Sequence, residues 1–152
     1  MTETRTPVAE GGCQCGAVRY AFYVPLENSH ACHCRMCQRA TGGAFALLVG
    51  SKKQDFAWTK GEPAVFASSN LASRAYCRDC GTPLSFSYNM PEARFYVTTG
   101  TLDHPEDAPI IIQYGVESQL PWVKFCEGVP SETTGEDPKA AEFFKTMASN
   151  QG

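Results

Sequence analysis

The chain has 152 residues, a formal net charge of −3 and 43% hydrophobic residues. This length predicts a single domain over residues 1–152 that can bury a core without cross-links. Because its Lys and Arg residues are scattered, the sequence argues against a nucleic-acid partner. The longest uncharged apolar stretch, residues 44–50, is too short to cross a membrane. The polar N-terminus carries no export signal, so we expect a cytoplasmic protein.

Strands are the main predicted elements, so the expected fold class is mainly β. Short runs rich in β-branched and aromatic residues, each bounded by Gly, Pro, Asn or Asp, are typical of strands. These runs cover residues 17–24, 44–49, 64–67, 83–88, 95–99 and 110–114. Their spacing predicts a compact sheet assembly with tight turns at the strand ends.

Two helices are predicted, a short one at residues 36–41 and a C-terminal one at residues 138–148. Asp137 is suited to cap the second helix, and Pro138 suits its first position. The apolar spacing predicts that this helix packs Phe143 and Phe144 against the sheet. The polar residues 127–137 before it are expected to form a surface loop.

Seven of the eight cysteines fall into three tight clusters, Cys13-x-Cys15, Cys32-x-Cys34-x-x-Cys37 and Cys77-x-x-Cys80. Disulfide scaffolds usually contain more cysteine, about 8–10% of the residues. Cysteines one residue apart are also poor disulfide partners, whereas C-x-C and C-x-x-C turns present two sulfurs to one metal. The clusters therefore favour metal binding over a disulfide framework.

One predicted site combines Cys13 and Cys15 with Cys77 and Cys80. Four thiolates complete a tetrahedral zinc shell and leave no position for a reactant, so this zinc is predicted to be structural. The alternative is a redox-active C-x-x-C at residues 77–80. That alternative needs a thioredoxin-like βαβ pattern, which the sequence does not show.

The second predicted site contains Cys32, Cys34 and Cys37. Three protein ligands and an open position are typical of a catalytic zinc site. We expect two zinc ions per chain, and the open position makes this one the more labile. The open position would accept water or a substrate thiol and lower its pKa. The alternative is a second structural zinc. His33 lies between two ligand cysteines, and their backbone directions make it a poor fourth ligand. The remaining candidates for the fourth ligand are His30, His104 and Cys126.

Several residues near the second cluster are candidates for substrate binding. Arg39 and Gly42 are the main ones, the first as a partner for a substrate carboxylate and the second as a point of close backbone approach. Arg35, Lys52 and Lys53 are weaker candidates, since each also suits a solvated surface. Cys126 lies between apolar residues and is expected to be a packed thiol, with a redox role as the alternative.

The order of these motifs resembles that of a known family. The matching segments are residues 12–16 (GCQCG), 32–37 (CHCRMC) with Arg39 and Gly42 following, 74–84 (RAYCRDCGTPL), 100–103 (GTLD) and 121–122 (PW). Together they resemble the glutathione-dependent formaldehyde-activating enzyme family, also called the centromere protein V family. The resemblance implies an Mss4-like fold with zinc knuckles over about residues 11–125, followed by a loop and helix over residues 127–149.

The resemblance also implies functions for the cysteines. It assigns Cys13, Cys15, Cys77 and Cys80 to the structural zinc and Cys32, Cys34 and Cys37 to a catalytic zinc. It implies a carbon–sulfur lyase similar to S-(hydroxymethyl)glutathione synthase, which acts on adducts of glutathione and formaldehyde or of a related small thiol and aldehyde. The alternative is a non-catalytic zinc protein or a module that binds a protein or metabolite.

Overall fold

The computed structural model describes residues 4–126, 130, 133 and 135–146, without the side chains of Phe125, Cys126 and Phe144. These residues form ten strands: β1 Ala9–Gly12, β2 Arg19–Phe22, β3 Glu27–Cys32, β4 Ala46–Lys52, β5 Phe56–Lys60, β6 Ala64–Ala67, β7 Ala72–Tyr76, β8 Pro83–Tyr88, β9 Arg94–Thr98 and β10 Ile112–Tyr114. They also form two α-helices, α1 Arg35–Thr41 and α2 Pro138–Lys145. The predicted mainly β class is confirmed.

The strands are arranged in two sheets. The small sheet has the order β1-β2-β5, and the large sheet has the order β10-β3-β4-β9-β8-β7-β6. Neighbouring strands are antiparallel, with the exception of β10, which pairs in parallel with β3. Strands β4 and β9 are neighbours in the interior of the large sheet, and Val49 pairs there with Val97.

The main core lies between the two sheets. Tyr20 and Phe22 of β2 are fully buried against Val49 and Val97 of the large sheet. Aromatic stacking joins the sheets, since the ring centroids of Phe56 on β5 and Phe95 on β9 are 4.1 Å apart. Burial of these large apolar side chains is the main stabilising contribution to such a fold.

The opposite face of the large sheet carries a second apolar cluster. Because side chains alternate along a strand, Leu48 and Tyr96 point away from the main core. They pack with Ala46 and with Cys37 of α1. This second face therefore positions the three-cysteine motif.

Each predicted strand corresponds to an observed one, and β6 and β8 have the predicted bounds. Four strands, β1, β3, β5 and β7, were not predicted. The sequence of β3 is largely polar and that of β7 is mostly small residues, so neither has a strong strand pattern.

Both predicted helices are present. Helix α2 begins as expected, with the Lys139 N–H donating to Asp137 Oδ1 at 2.9 Å. Phe143, predicted to pack against the sheet, is 64% exposed. The side chain of Phe144, most of the predicted loop 127–137 and the predicted helix end after residue 146 lie outside the described residues. No helix in the described part of the chain is long and apolar enough to span a membrane.

Candidate metal centres

The first cysteine cluster joins two distant turns. Cys13 and Cys15 lie between β1 and β2, and Cys77 and Cys80 lie between β7 and β8. Their four Sγ atoms all lie within 4.8 Å of one another, with Cys13 to Cys15 at 3.6 Å and Cys15 to Cys77 at 3.8 Å. A tetrahedral zinc with Zn–S bonds of about 2.3 Å places its sulfurs about 3.8 Å apart. The four sulfurs thus fit a closed zinc site.

Each of the two turns ends at a left-handed glycine that follows its second cysteine. Gly16 and Gly81 both have φ of +78°, a conformation that favours glycine. The Gly16 N–H donates to the Cys13 carbonyl at 3.1 Å, and the Gly81 N–H donates to the Cys77 carbonyl at 2.8 Å. Each pair of sulfurs is therefore presented by a tight turn.

Thr82 supports one of these sulfurs. Its Oγ1 accepts the Gln14 N–H at 3.1 Å and lies 3.1 Å from Cys80 Sγ, to which its hydroxyl proton can point. Burial raises the pKa of the Cys80 thiol, but hydrogen bonds from Thr82 and from the Cys15 backbone outweigh it and lower the pKa to about 6. The sequence analysis did not identify this residue as part of the site.

The cluster also needs a cation to ionise fully. At Cys15 the Ala17 backbone N–H lowers the pKa, but burial and the neighbouring sulfurs outweigh it and raise the pKa to about 12. Four crowded sulfurs therefore do not all become thiolates on their own. A divalent cation supplies the missing positive charge, and this agrees with a zinc site.

The second cluster lies where β3 leads into α1. The Sγ atoms of Cys32, Cys34 and Cys37 are within 4.8 Å of one another. Cys34 caps the helix, since its Sγ accepts the Cys37 N–H at 3.4 Å. Burial raises the pKa of Cys34, but this N–H and the neighbouring sulfurs lower it overall. Burial is the main cause that raises the pKa of Cys32 to about 12, so this cluster also favours a cation.

No fourth protein ligand joins these three sulfurs among the described side chains. His33 is buried, and its Nε2–H donates to Gln113 Oε1 at 2.8 Å. His30 lines the same cavity without joining the sulfur group, and His104 is exposed beside Glu106. The backbone of Cys126 ends a 3-10 helix, Val123–Cys126, but its side chain lies outside the described residues.

A cavity of about 440 Å³ lies beside the second cluster. It is formed by the second face of the large sheet together with the start of α1. Its lining residues are Asn28, His30, Cys32, Cys34, Met36, Cys37, Leu48, Ser68, Ser69, Ala72, Arg74, Phe86, Tyr88, Tyr96 and Tyr114. All three cysteines of the second cluster are therefore accessible from one cavity, as a site for chemistry requires.

Arg74 on β7 is a site residue that the sequence analysis missed. Its side chain is buried, and its Nη2–H donates to Cys37 Sγ at 3.4 Å. Its Nε–H donates to Ser68 Oγ at 2.8 Å, and its Cζ lies 4.7 Å from the centroid of the Phe86 ring. Because a buried charge needs a partner, this contact favours an anionic sulfur cluster. The available signal was its place at the start of the family-like segment 74–84, three residues before Cys77.

Asn28 connects three aromatic residues of the cavity. Its Nδ2–H donates to the Tyr96 hydroxyl at 2.9 Å, its Oδ1 accepts from the Tyr114 hydroxyl at 3.2 Å, and its carbonyl accepts the His30 Nδ1–H at 2.7 Å. Asn28 has φ of +51°, a left-handed conformation that asparagine tolerates better than most residues. Burial lowers the pKa of His30, which favours the neutral imidazole.

The predicted substrate residues Arg39 and Gly42 do not line this cavity. Arg39 is exposed in the last turn of α1. Gly42 ends α1 with φ of +73°, and its N–H donates to the Gln38 carbonyl at 2.8 Å. Their roles in substrate binding stay predictions.

The weaker cationic candidates also contact protein groups. Arg35 Nη1–H donates to Gln38 Oε1. Lys53 Nζ donates to the carbonyls of Tyr88 and Met90, at 2.7 Å and 2.8 Å, and so holds the turn between β8 and β9. Lys52 is exposed at the end of β4.

Known proteins resemble this chain in fold or in sequence. A Rhodobacter sphaeroides protein of known crystal structure is 23% identical, has a TM-score of 0.55, and aligns over 68% of this chain and 98% of its own. This likeness concerns the fold. An uncharacterized lyase from Schizosaccharomyces pombe is 26% identical over 91 residues, which are 60% of this chain and 66% of that protein. The chain thus spans just under two thirds of the length of this curated relative.

The family-level match covers both cysteine clusters and the cavity. The model of the family described as "Glutathione-dependent formaldehyde-activating enzyme" matches residues 8–115. This range begins just before β1 and ends just after β10, so it includes both sheets and α1. The chain therefore belongs to the glutathione-dependent formaldehyde-activating enzyme family.

Proposed function

We propose that this protein is a zinc-dependent carbon–sulfur lyase that acts on adducts of glutathione and formaldehyde, or of a related small thiol and aldehyde. The observation that carries this proposal is the contrast between the two clusters. One has four sulfurs and is complete, whereas the other has three sulfurs beside a cavity of about 440 Å³. The family and the lyase name of the fission-yeast relative support the same class of reaction.

The two clusters would have different tasks. Cys13, Cys15, Cys77 and Cys80 would hold a structural zinc, and Cys32, Cys34 and Cys37 would hold the second zinc at the cavity. A zinc with three protein ligands lowers the pKa of a thiol at its open position, and this makes the thiolate available near neutral pH.

The reaction needs little from the chain beyond this activation. In the forward direction the thiol sulfur forms a bond to the aldehyde carbon, and the carbonyl π bond breaks. The proton lost by the thiol ends on the former carbonyl oxygen, so no oxidant or reductant is consumed. Arg74 offsets the negative charge of the sulfur cluster, and Asn28 holds the rings of Tyr96 and Tyr114 around the space for the adduct.

The test compares two cysteine variants in the zinc-loaded protein. Magnetisation-exchange NMR at equilibrium measures how fast formaldehyde and its glutathione adduct interconvert, with a protein-free sample for the spontaneous rate. We expect Cys37→Ser to keep the fold and one zinc but lose the acceleration. Cys126→Ser changes a cysteine that lies outside both clusters in the sequence, and this variant should keep the acceleration.

The other outcomes separate the alternatives. Loss of the acceleration only in Cys126→Ser would favour cysteine redox chemistry instead. No acceleration by the wild type with two zinc ions would contradict the named reaction and favour a non-catalytic zinc module.

A further inference from the structure

The charges in the cavity are balanced without a substrate. Among the described lining residues, Arg74 is the one charged side chain, and it already contacts Cys37 and Ser68. Three thiolates with one divalent zinc carry a net charge of −1, which Arg74 offsets. A charged ligand group placed here away from the metal would therefore lose its hydration without gaining a partner.

Aromatic rings form much of the wall. Phe86 and Tyr88 contact each other edge to face, with ring centroids 5.1 Å apart. On β9 and β10, the hydroxyls of Tyr96 and Tyr114 both bond to Asn28. Because Asn28 engages these polar ends, the rings offer mainly apolar surface to a ligand.

This wall suits neither formaldehyde nor the charged ends of glutathione. Formaldehyde has a single carbon and fills a small part of about 440 Å³. Glutathione has two carboxylates and an ammonium group, and the cations proposed from the sequence, such as Arg39 and Lys53, do not line the described cavity. The space next to the sulfurs thus matches an uncharged organic group larger than one carbon.

We infer that the cavity holds an uncharged apolar group, best an aromatic one, carried by one half of a thiol–carbonyl adduct. The group comes either from the carbonyl compound or from the thiol, and its charged partner half then stays outside the aromatic wall. This inference rests on the proposed function for the type of reaction, and it deepens that function by naming the substrate class.

Stable thioethers test the carbonyl half by calorimetry on the zinc-loaded protein. S-benzylglutathione and S-methylglutathione have the same charges and differ by a phenyl ring. Burying that ring should strengthen binding at least about tenfold. A second arm compares phenylmethanethiol with 2-sulfanylethanol and tests the thiol half in the same way. A preference in the first arm assigns the group to the carbonyl compound, and one in the second arm assigns it to the thiol.

A matched pair of tyrosines tests whether this cavity is the binding site. Tyr88 lines the cavity, whereas Tyr76 does not, and their exposed fractions are similar at 45% and 39%. Tyr88→Leu should reduce the aromatic preference to about threefold or less. Tyr76→Leu should leave it unchanged, with circular dichroism confirming that both variants fold.

The inference would be overturned if the aromatic and the non-aromatic ligand bound equally well in both arms. It would also be overturned if Tyr76→Leu and Tyr88→Leu lost the aromatic preference to the same extent. The exchange measurement with glutathione and formaldehyde keeps the two proposals apart. Accelerated exchange without an aromatic preference removes the inference alone. An aromatic preference without acceleration of any adduct removes the proposed function and leaves the inference standing.

Discussion

At the residue scale, Arg74 is the side chain that connects the large sheet to the second cluster. Its hydrogen bond to Cys37 Sγ lies in a buried site, where a bond to a charged group contributes about 1.5–3 kcal/mol. We therefore expect Arg74→Gln to weaken metal retention at this cluster by about tenfold or more. Competition with a chelator, followed by metal analysis, measures the change.

Two further arginine variants control that experiment. Arg74→Lys keeps the positive charge and should restore part of the metal retention, although it loses the planar guanidinium group and its several N–H donors. Arg39→Gln removes an exposed arginine of α1 and should not change retention. If Arg74→Gln kept its second metal as firmly as the wild type, Arg74 would have no role as the countercharge.

Thr82 gives a prediction about pH. Its bond to Cys80 helps to lower the thiol pKa to about 6, so Thr82→Val should raise that pKa. A proton then competes with the metal more strongly at any given pH, and zinc should be released at a higher pH, by on the order of half a unit. An indicator dye records zinc release during acid titration. Thr82→Ser keeps the hydroxyl and should behave as the wild type; a shared midpoint for all three proteins would contradict the prediction.

At the element scale, α1 is a short helix whose two ends are both fixed. Cys34 caps its start and Gly42 ends it in the left-handed conformation, with open space where a side chain would lie. Gly42→Ala should therefore cost only the backbone strain, about 1 kcal/mol, and lower Tm by about 2–4 °C.

Gly43→Ala is the matched control for that variant. Its φ lies outside the left-handed region, and an added Cβ would meet ordinary contacts at 3.5 Å and 3.9 Å. Thermal unfolding followed by circular dichroism compares the two variants. An equal Tm would contradict the role of Gly42 as a helix end, and a changed affinity for glutathione in Gly42→Ala would support its predicted role in substrate binding.

The success of the sequence predictions differed between elements for a physical reason. Strands β6 and β8 contain β-branched or aromatic residues that mark them locally. Strand β3 carries Asn28 and His30, whose side chains serve the cavity, so its sequence does not resemble a strand. The cysteine groups were predictable because ligand spacing is local chemistry. The position of Arg74 and the aromatic wall of the cavity could not be predicted, because these residues meet only when distant strands pair.

At the scale of the whole molecule, the first cluster joins parts of the chain that are distant in sequence. Cys15 and Cys77 are 62 positions apart, and Cys13 and Cys77 are both buried in the main core. Loss of one ligand should cost several kcal/mol, because binding of a structural zinc is folding free energy. We expect Cys80→Ser to be insoluble or to melt far below the wild type. Cys37→Ser should fold, and a wild-type Tm for Cys80→Ser would contradict the structural role.

The two metals should also differ in lability. The cavity gives a chelator access to the three-sulfur cluster, whereas four sulfurs would surround a metal in the first cluster. Mild chelation should remove about one zinc per chain while the circular dichroism stays native. Loss of both metals together with unfolding would show that the second site is structural too.

The sequence separation of the first cluster has a consequence for synthesis on the ribosome. All three sulfurs of the second cluster leave the exit tunnel by the time Cys37 emerges, but the first cluster waits for Cys80, 43 residues later. At about 5–20 residues per second, the nascent chain exposes five cluster thiols for several seconds before the four-sulfur cluster can close. The three thiols of the second cluster are therefore synthesised before the chain can fold around them.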